Sequence, residues 1–406
     1  EFYTADKLFD NYYKPGIINE LALSDESTVT ILRKAGDAAK TSIAQQVSNM
    51  PVLKLAAPSV SEKAAQKNIS LVIDVDNKDF ISELLLFQNG KRITVSPDIF
   101  RGISLPSITI PVELVNGENT FIVSALNQSR VETTPLKFSI SFGGTKASSS
   151  LYIMAVGVDK YKNSRYNLNY AKADARGIAA QLASSSSKIF KDIIVDSLFD
   201  EIATTENIAE RINRLKSQIK PEDVFLFYYA GHGIMSDPAD GSKSDFYLVL
   251  HKVTQMQGND EVLKTNGLSA SRLRDLLLEV PAQKQLILFD ACNSGGALTT
   301  FTRGAAEEAA IFQLARSTGF TVLASTNQEQ LAAELKDLKH GIFTYAIING
   351  LKGEADLKKD GKITVKEIEL YLNEIIPVLS EKYKGVQQYP QSFSRGMDFP
   401  LTISLN

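Results

Sequence analysis

The chain has 406 residues, 44% of them hydrophobic, with 44 basic and 47 acidic side chains and a formal net charge of −3. That is enough apolar sequence for a large core split over about two domains, and the near balance of charge gives a nucleic-acid partner no electrostatic footing. A single cysteine, Cys292, excludes an internal disulfide or a multi-cysteine metal site and fits a reducing, cytoplasmic setting, and no apolar run reaches the length of a membrane span.

Residues 1–55 read as a linker or packing segment that includes Tyr12-Tyr13-Lys14-Pro15-Gly16. The chain starts at Glu1 with neither Met nor a signal-like stretch, so a piece of something longer is expected. Over residues 56–145 short strands are expected at 69–75, 81–87, 108–112, 120–125 and 136–140. Gln88-Asn89-Gly90-Lys91 and Asn116-Gly117-Glu118-Asn119 supply turns between them. Short strands at this spacing predict an all-β, immunoglobulin-like sandwich, followed by a Gly/Ser-rich linker at 143–150.

From 151 to 406 strands and helices alternate. Strands are expected at 151–158, 191–199, 223–230, 285–291, 320–326 and 400–405, and helices at 169–184, 205–219, 269–280, 307–318, 341–351 and 364–383. The alternation predicts an α/β domain with a mainly parallel six-stranded sheet between helices. Residues 245–250 read as a hairpin arm off that sheet.

Two of these strands run into reactive residues. Val224-Phe225-Leu226-Phe227-Tyr228-Tyr229 leads to Ala230-Gly231-His232-Gly233, and Leu286-Ile287-Leu288-Phe289 leads to Asp290-Ala291-Cys292-Asn293-Ser294-Gly295-Gly296. Side chains at the carboxyl ends of parallel strands gather along one crevice. An imidazole there can take a thiol proton and return it to a leaving amine. The backbone N–H groups of Gly233 and Cys292 are candidates for an oxyanion hole. The plain alternatives are a small buried cysteine and a turn histidine. His251 lies in the hairpin arm, and His340, just before a helix start, reads as an ordinary surface residue. A phosphatase loop is excluded because Leu298 stands where a phosphate-binding arginine is needed.

On these residues, residues 151–405 resemble the caspase-like cysteine peptidases, and most closely their bacterial metacaspase-like (orthocaspase) branch. Tyr228-Tyr229-Ala230-Gly231-His232-Gly233 and Phe289-Asp290-Ala291-Cys292-Asn293-Ser294-Gly295-Gly296 carry the likeness. Ala155-Val156-Gly157-Val158, Leu168 to Ala175 and Thr321 to Thr326 extend it. The resemblance implies a Cys292–His232 dyad, a caspase-like fold and proteolysis. It also implies a primary specificity pocket holding Asp174 and Asp290, with Ser325 and Thr326 on its wall. Two carboxylates there would select Arg or Lys. The alternative for Asp174 is a residue that caps or solvates its own helix.

Self-processing in such zymogens falls after the catalytic cysteine, which makes Arg303 the candidate and leaves a plain loop charge as the alternative. No cofactor is required for the chemistry, and Ca²⁺ is a candidate activator. Asp356, Asp360 and Glu367 follow calcium-loop spacing, but Lys358 occupies an oxygen-ligand position, and a turn into a helix fits better. Asp237, Asp240 and Asp245 are weaker candidates. Expected partners are protein or peptide substrates with Arg or Lys before the cleaved bond, and an upstream sensor domain or partner protein. The rival function is a non-proteolytic interaction or signalling module on the same fold; a structural adhesion protein would leave most of the chain unused.

Overall fold

A computed structural model describes residues 50–59, 63–76, 81–99, 107–143, 148–236, 244–258, 260–293, 300–325, 339–394 and 396–404. The chain divides into two compact units, Glu1–Ala147 and Ser148–Asn406.

The first unit is a β-sandwich of two antiparallel sheets. Its strands are β1 (Val52–Ala57), β2 (Asn68–Asp76), β3 (Ile81–Gln88), β4 (Lys91–Ile93), β5 (Ser107–Glu113), β6 (Gly117–Asn127) and β7 (Leu136–Phe142). One sheet has the order β1-β2-β5 and the other β4-β3-β6-β7. The period-2 pattern points Leu71, Ile73 and Val75 of β2, and Phe121, Val123 and Ala125 of β6, into one shared core. Asn89-Gly90, both at positive φ, forms the tight turn between β3 and β4. Asn119, expected as a turn residue, is instead a fully buried clamp. Its side chain accepts from Val115 N at 2.8 Å and donates to Val115 O at 2.8 Å, tying down the β5–β6 connection.

The second unit is a sheet between helices. Its strands are β8 (Leu151–Gly157), β9 (Ile193–Phe199), β10 (Val224–Met235), β11 (Phe246–Leu248), β12 (Leu268–Ser269), β13 (Lys284–Asn293), β14 (Thr321–Ala324), β15 (Lys362–Thr364), β16 (Gln391–Phe393) and β17 (Pro400–Ile403). Its helices are α1 (Ala171–Ser185), α2 (Thr205–Lys216), α3 (Asp260–Asn266), α4 (Ala270–Leu278), α5 (Thr300–Thr318), α6 (Ile342–Asn349) and α7 (Val365–Lys384). The strands β9, β8, β10, β13 and β14 are parallel neighbours in that order, and β16 closes the edge antiparallel to β14. β11 and β12 form the arm, attached to the carboxyl-terminal extension of β10.

Continuous apolar runs in β8, β10 and β13 are what a sheet covered on both faces requires. Phe225, Phe227 and Tyr229 of β10 pack in a layer with α2, α4 and α5. Val224, Leu226 and Tyr228 pack in the opposite layer with α1, α6 and α7. Thr364 and Glu367 make a reciprocal capping box that starts α7, and Gly385 ends it in the left-handed conformation.

The sixth strand is not the expected one. Residues 400–405 were the predicted sheet member, but β17 pairs with β15 in a separate two-stranded ladder. Its Leu401 is buried with Ile363 and Phe399 under α1 and α7. The sheet edge is taken by the three-residue β16, whose Phe393 packs edge-on against Phe312 of α5 at 5.1 Å. The first turns of α5 also reach back to Thr300, ahead of the expected start at 307.

Candidate active site

The register of β10 on β13 sets His232 directly opposite Cys292, and Gly233 opposite Asn293. Neighbouring strands lie about 4.8 Å apart, so the two reactive residues are adjacent by backbone geometry alone. Both lie inside their strands rather than past the ends as expected: β10 runs on to Met235 and β13 to Asn293.

His232 is held from three sides. Its Nε2 is 2.8 Å from the carbonyl oxygen of Tyr166. A carbonyl can only accept, so Nε2 carries the proton and Nδ1 is the bare acceptor of the neutral ring. Among the described residues Nδ1 is buried and has no hydrogen-bond partner. The backbone N–H of His232 donates to Tyr161 Oη at 3.0 Å, and Tyr229 Oη donates to the carbonyl of His232 at 2.7 Å. The Tyr161 ring lies 5.1 Å from the imidazole, tilted by 39°. Gly231 makes room for this: a Cβ there would sit 2.5 Å from Tyr229 Oη and 2.9 Å from Tyr161 Oη. Burial lowers the imidazole's affinity for a second proton, and the Tyr166 carbonyl partly restores it. The net result is a neutral base at neutral pH.

The two carboxylates come together in the layer of α1 and α6. Asp290, on β13, accepts a hydrogen bond from Thr344 Oγ1 at 2.6 Å. Thr344 in turn lies 2.5 Å from Tyr228 Oη, so the tyrosine supplies the hydrogen that the threonine needs as acceptor. Asp174, on α1, accepts from Gly341 N at 3.2 and 3.3 Å and pairs with His340 Nδ1 at 2.8 Å. It is buried, and these partners lie far along the chain, so it neither caps nor solvates its own helix. A Cβ at Gly341 would lie 3.0 Å from Asp290 Oδ2 and 3.4 Å from Asp174 Oδ2, so both carboxylates border one small space. Burial, opposed by His340 and reinforced by the charge of Asp290, pushes Asp174 up to about 7. Burial also raises Asp290, held back by Thr344 and Ser325. Ser325, just past β14, makes no well-formed side-chain hydrogen bond among the described residues.

A family model described as "Caspase domain", a peptidase family, matches residues 152–401. The chain belongs to the caspase-domain family. Among curated relatives, "Metacaspase-1" of Meyerozyma guilliermondii is 26% identical over 176 residues, which is 41% of this chain and 42% of the relative. "Metacaspase-1" of Schizosaccharomyces pombe is 30% identical over 117 residues, 26% of this chain and 25% of the relative. The chain thus spans less than half the length of either relative. A solved structure of a Geobacter sulfurreducens protein aligns with 61% of this chain and 94% of its own at 16% identity and a TM-score of 0.40.

In this caspase-domain chain the remaining candidates fall elsewhere. Arg303 lies on the backbone of α5 rather than in a loop. Thr326, Asp237 and Asp240 fall outside the described residues. Asp245 accepts from the N–H groups of Phe246 and Ser271 and ties the arm to α4. In the calcium-like loop, Asp356 accepts from the N–H groups of Asp360 and Gly361, at 3.1 and 3.0 Å. Asp360 accepts from Lys362 N at 2.9 Å, and Glu367 accepts from the N–H groups of Lys358 and Thr364 at 3.2 and 3.0 Å. The carboxylates close the turn on the loop's own amides, and among the described residues no cluster of three or more metal-ligating side chains is found. Also among the described residues, no helix is long and apolar enough to cross a membrane.

Sequence reasoning missed Tyr161, Tyr166, Thr344 and Tyr228, and it read His340 as an ordinary surface residue. The side chain of His340 keeps only 24% of its accessible surface, with its ring nitrogen on Asp174. One signal was readable: tyrosines inside a buried apolar strand, Tyr228 and Tyr229, need hydroxyl partners. His251, expected away from the crevice, braces the loop that carries Tyr161, with Nδ1 2.6 Å from Lys160 O.

Proposed function

We propose that the chain is a cysteine endopeptidase that cleaves after Arg or Lys, with Cys292 as nucleophile and His232 as general base and acid. The observation that carries this is the buried Nδ1 of His232, which has no hydrogen-bond partner among the described residues, with Nε2 fixed on a carbonyl and Cys292 as its register partner. The thiol proton passes to Nδ1, the thiolate adds to the substrate carbonyl, and the oxyanion is held by the N–H groups of Gly233 and Cys292. Collapse transfers the proton from the imidazolium to the departing amine and leaves a thioester. Water then attacks the thioester, giving its proton to His232, and the returned thiol and a carboxylate product complete the cycle.

The basic specificity is supported by two carboxylates, Asp174 and Asp290, bordering one space, since guanidinium pairs bidentately with carboxylate oxygens. Fluorogenic peptides ending in Arg, Lys or Asp, offered to wild type and Cys292→Ala, test both halves. Turnover of Arg and Lys peptides by wild type alone is expected. Preference for Asp would overturn the pocket, and equal turnover by the variant would overturn the nucleophile. An Arg-ended thiol-reactive peptide that leaves Cys292 unlabelled would favour the non-proteolytic module.

Three further readings belong to the same proposal. The sandwich is an immunoglobulin-like module that positions the peptidase or binds a partner, within a bacterial metacaspase-like protein with an upstream sensor domain. Arg303 is the self-processing site, which requires the first turn of α5 to unwind, as helix ends do at low cost. Calcium acts as an activator; undiminished turnover in chelator would remove it. Mass spectrometry of wild type against Cys292→Ala reads the self-cleavage directly.

A further inference from the structure

Asp174 has a resident partner. His340 Nδ1 lies 2.8 Å from Asp174 Oδ1, while Gly341, the next residue, donates its N–H to both oxygens. The seat for the ring is built into α1. Gly177 sits one turn past Asp174, and a Cβ there would meet His340 Cε1 at 2.9 Å and Ile348 Cδ1 at 2.9 Å. A bare glycine therefore lets the imidazole approach the helix closely beside the carboxylate. The His340 side chain keeps 24% of its surface and that of Asp174 6%, so the ring spans from solvent to a buried acid. Nothing in the Cys–His chemistry uses this histidine.

We propose that His340 is a specificity-determining positioning residue: it serves as the resident hydrogen-bond partner of Asp174, and the basic side chain of a substrate must share that carboxylate with it or take its place. This rests on reading Asp174 and Asp290 as the pocket for Arg or Lys. The physical need is plain. Two desolvated carboxylates bordering one space repel each other, and a buried charge without a partner is costly. His340 Nδ1 occupies Oδ1 of Asp174, and the Thr344 hydroxyl occupies Oδ2 of Asp290. A guanidinium arriving between the carboxylates therefore meets an oxygen that already has a partner. The ring then shares the carboxylate or turns to solvent through its exposed edge.

Among the described residues, the groups that face this cluster are Asp174 from α1 and Asp290 from β13, with Lys384 at the end of α7 acting on Asp290, and Thr344 and Ile348 of α6, which do not titrate. Among these, the competition for Asp174 is between the His340 imidazole and the incoming cation.

The chain has three histidines, so imidazole nitrogen spectra of the full ¹⁵N-labelled Cys292→Ala protein can be read residue by residue, with His340→Gln assigning the signal. Argininamide is the probe. Expected: at saturation the His340 nitrogens change shift, while His251 is unmoved. In Asp174→Asn the probe no longer shifts His340. Saturable binding of argininamide that leaves the His340 signals unchanged would overturn the inference while the basic pocket stands. Absence of saturable binding at any pH would overturn both together. The shift change itself needs no pocket substitution, so it stays decisive even if Asp174→Asn folds poorly.

Discussion

His232 and the Asp174–Asp290 pair lie in the second unit, and burial acts on them in opposite directions. At His232 desolvation removes a charge: the ring stays neutral, one nitrogen is tied to the Tyr166 carbonyl, and the other is left as an acceptor. At Asp174 and Asp290 desolvation works to keep protons on, and each carboxylate is brought back towards its charged form by hydrogen bonds. Asp174 has His340 and Gly341, and Asp290 has Thr344 backed by Tyr228. The comparison teaches that burial alone does not make a site. Among the described residues, the His232 ring is paired with a neutral backbone dipole, whereas the two carboxylates are given hydrogen-bond donors.

The comparison can be broken most sharply at the base. His232→Ala is expected to cut peptide turnover by roughly 10³- to 10⁴-fold with the protein still folded, measured as kcat with a saturating Arg peptide beside the circular dichroism spectrum. Activity within tenfold of wild type would remove His232 from the chemistry. On the pocket side, Asp290→Asn should lower kcat/KM for Arg peptides by about 10- to 100-fold, the size of a charge-assisted hydrogen bond. Most of that loss should fall on KM.

The pH dependence separates the two centres. Asp174, pushed up to about 7, holds a proton below that pH and is charged above it. KM for Arg peptides should therefore fall as pH rises through about 7. The ring of His232, lowered below its ordinary value, releases its second proton earlier. The acid limb of kcat should then lie at lower pH than the limb of KM. A single shared limb would mean that one group controls both. The smallest effect is expected from Tyr228→Phe. It removes one hydroxyl behind Thr344 and should cost about 1 kcal/mol of stability, read by denaturant unfolding, with kcat/KM changed less than about threefold. A larger loss of kcat/KM would show that the relay to Asp290 sets the pocket's charge.

The sequence determined much of this by itself. The runs 224–229 and 286–289 are apolar without interruption, which only strands covered on both faces tolerate, and their shared endings in His232 and Cys292 placed both at one rim. Period-2 patterning in the first unit likewise gave five of the seven strands, because that signal is local. The two missed strands, β1 and β4, are an edge strand and a three-residue partner. Gln391-Ser392-Phe393 is too short and polar to read as a strand, and it becomes one only because the open edge of β14 lies beside it. Pro400 to Ile403 reads as a strand but finds its partner in β15, since which ladder a strand joins depends on packing far along the chain. The same holds at the site. The family resemblance named Asp174 and Asp290, but the identity of their donors was decided by tertiary contacts across 167 and 54 positions, from Gly341 and Thr344. His340, Tyr161 and the Tyr166 carbonyl carry no local periodicity that marks a partner. Hydrogen bonds in a dry interior are fixed by who arrives there, and only the folded chain decides that.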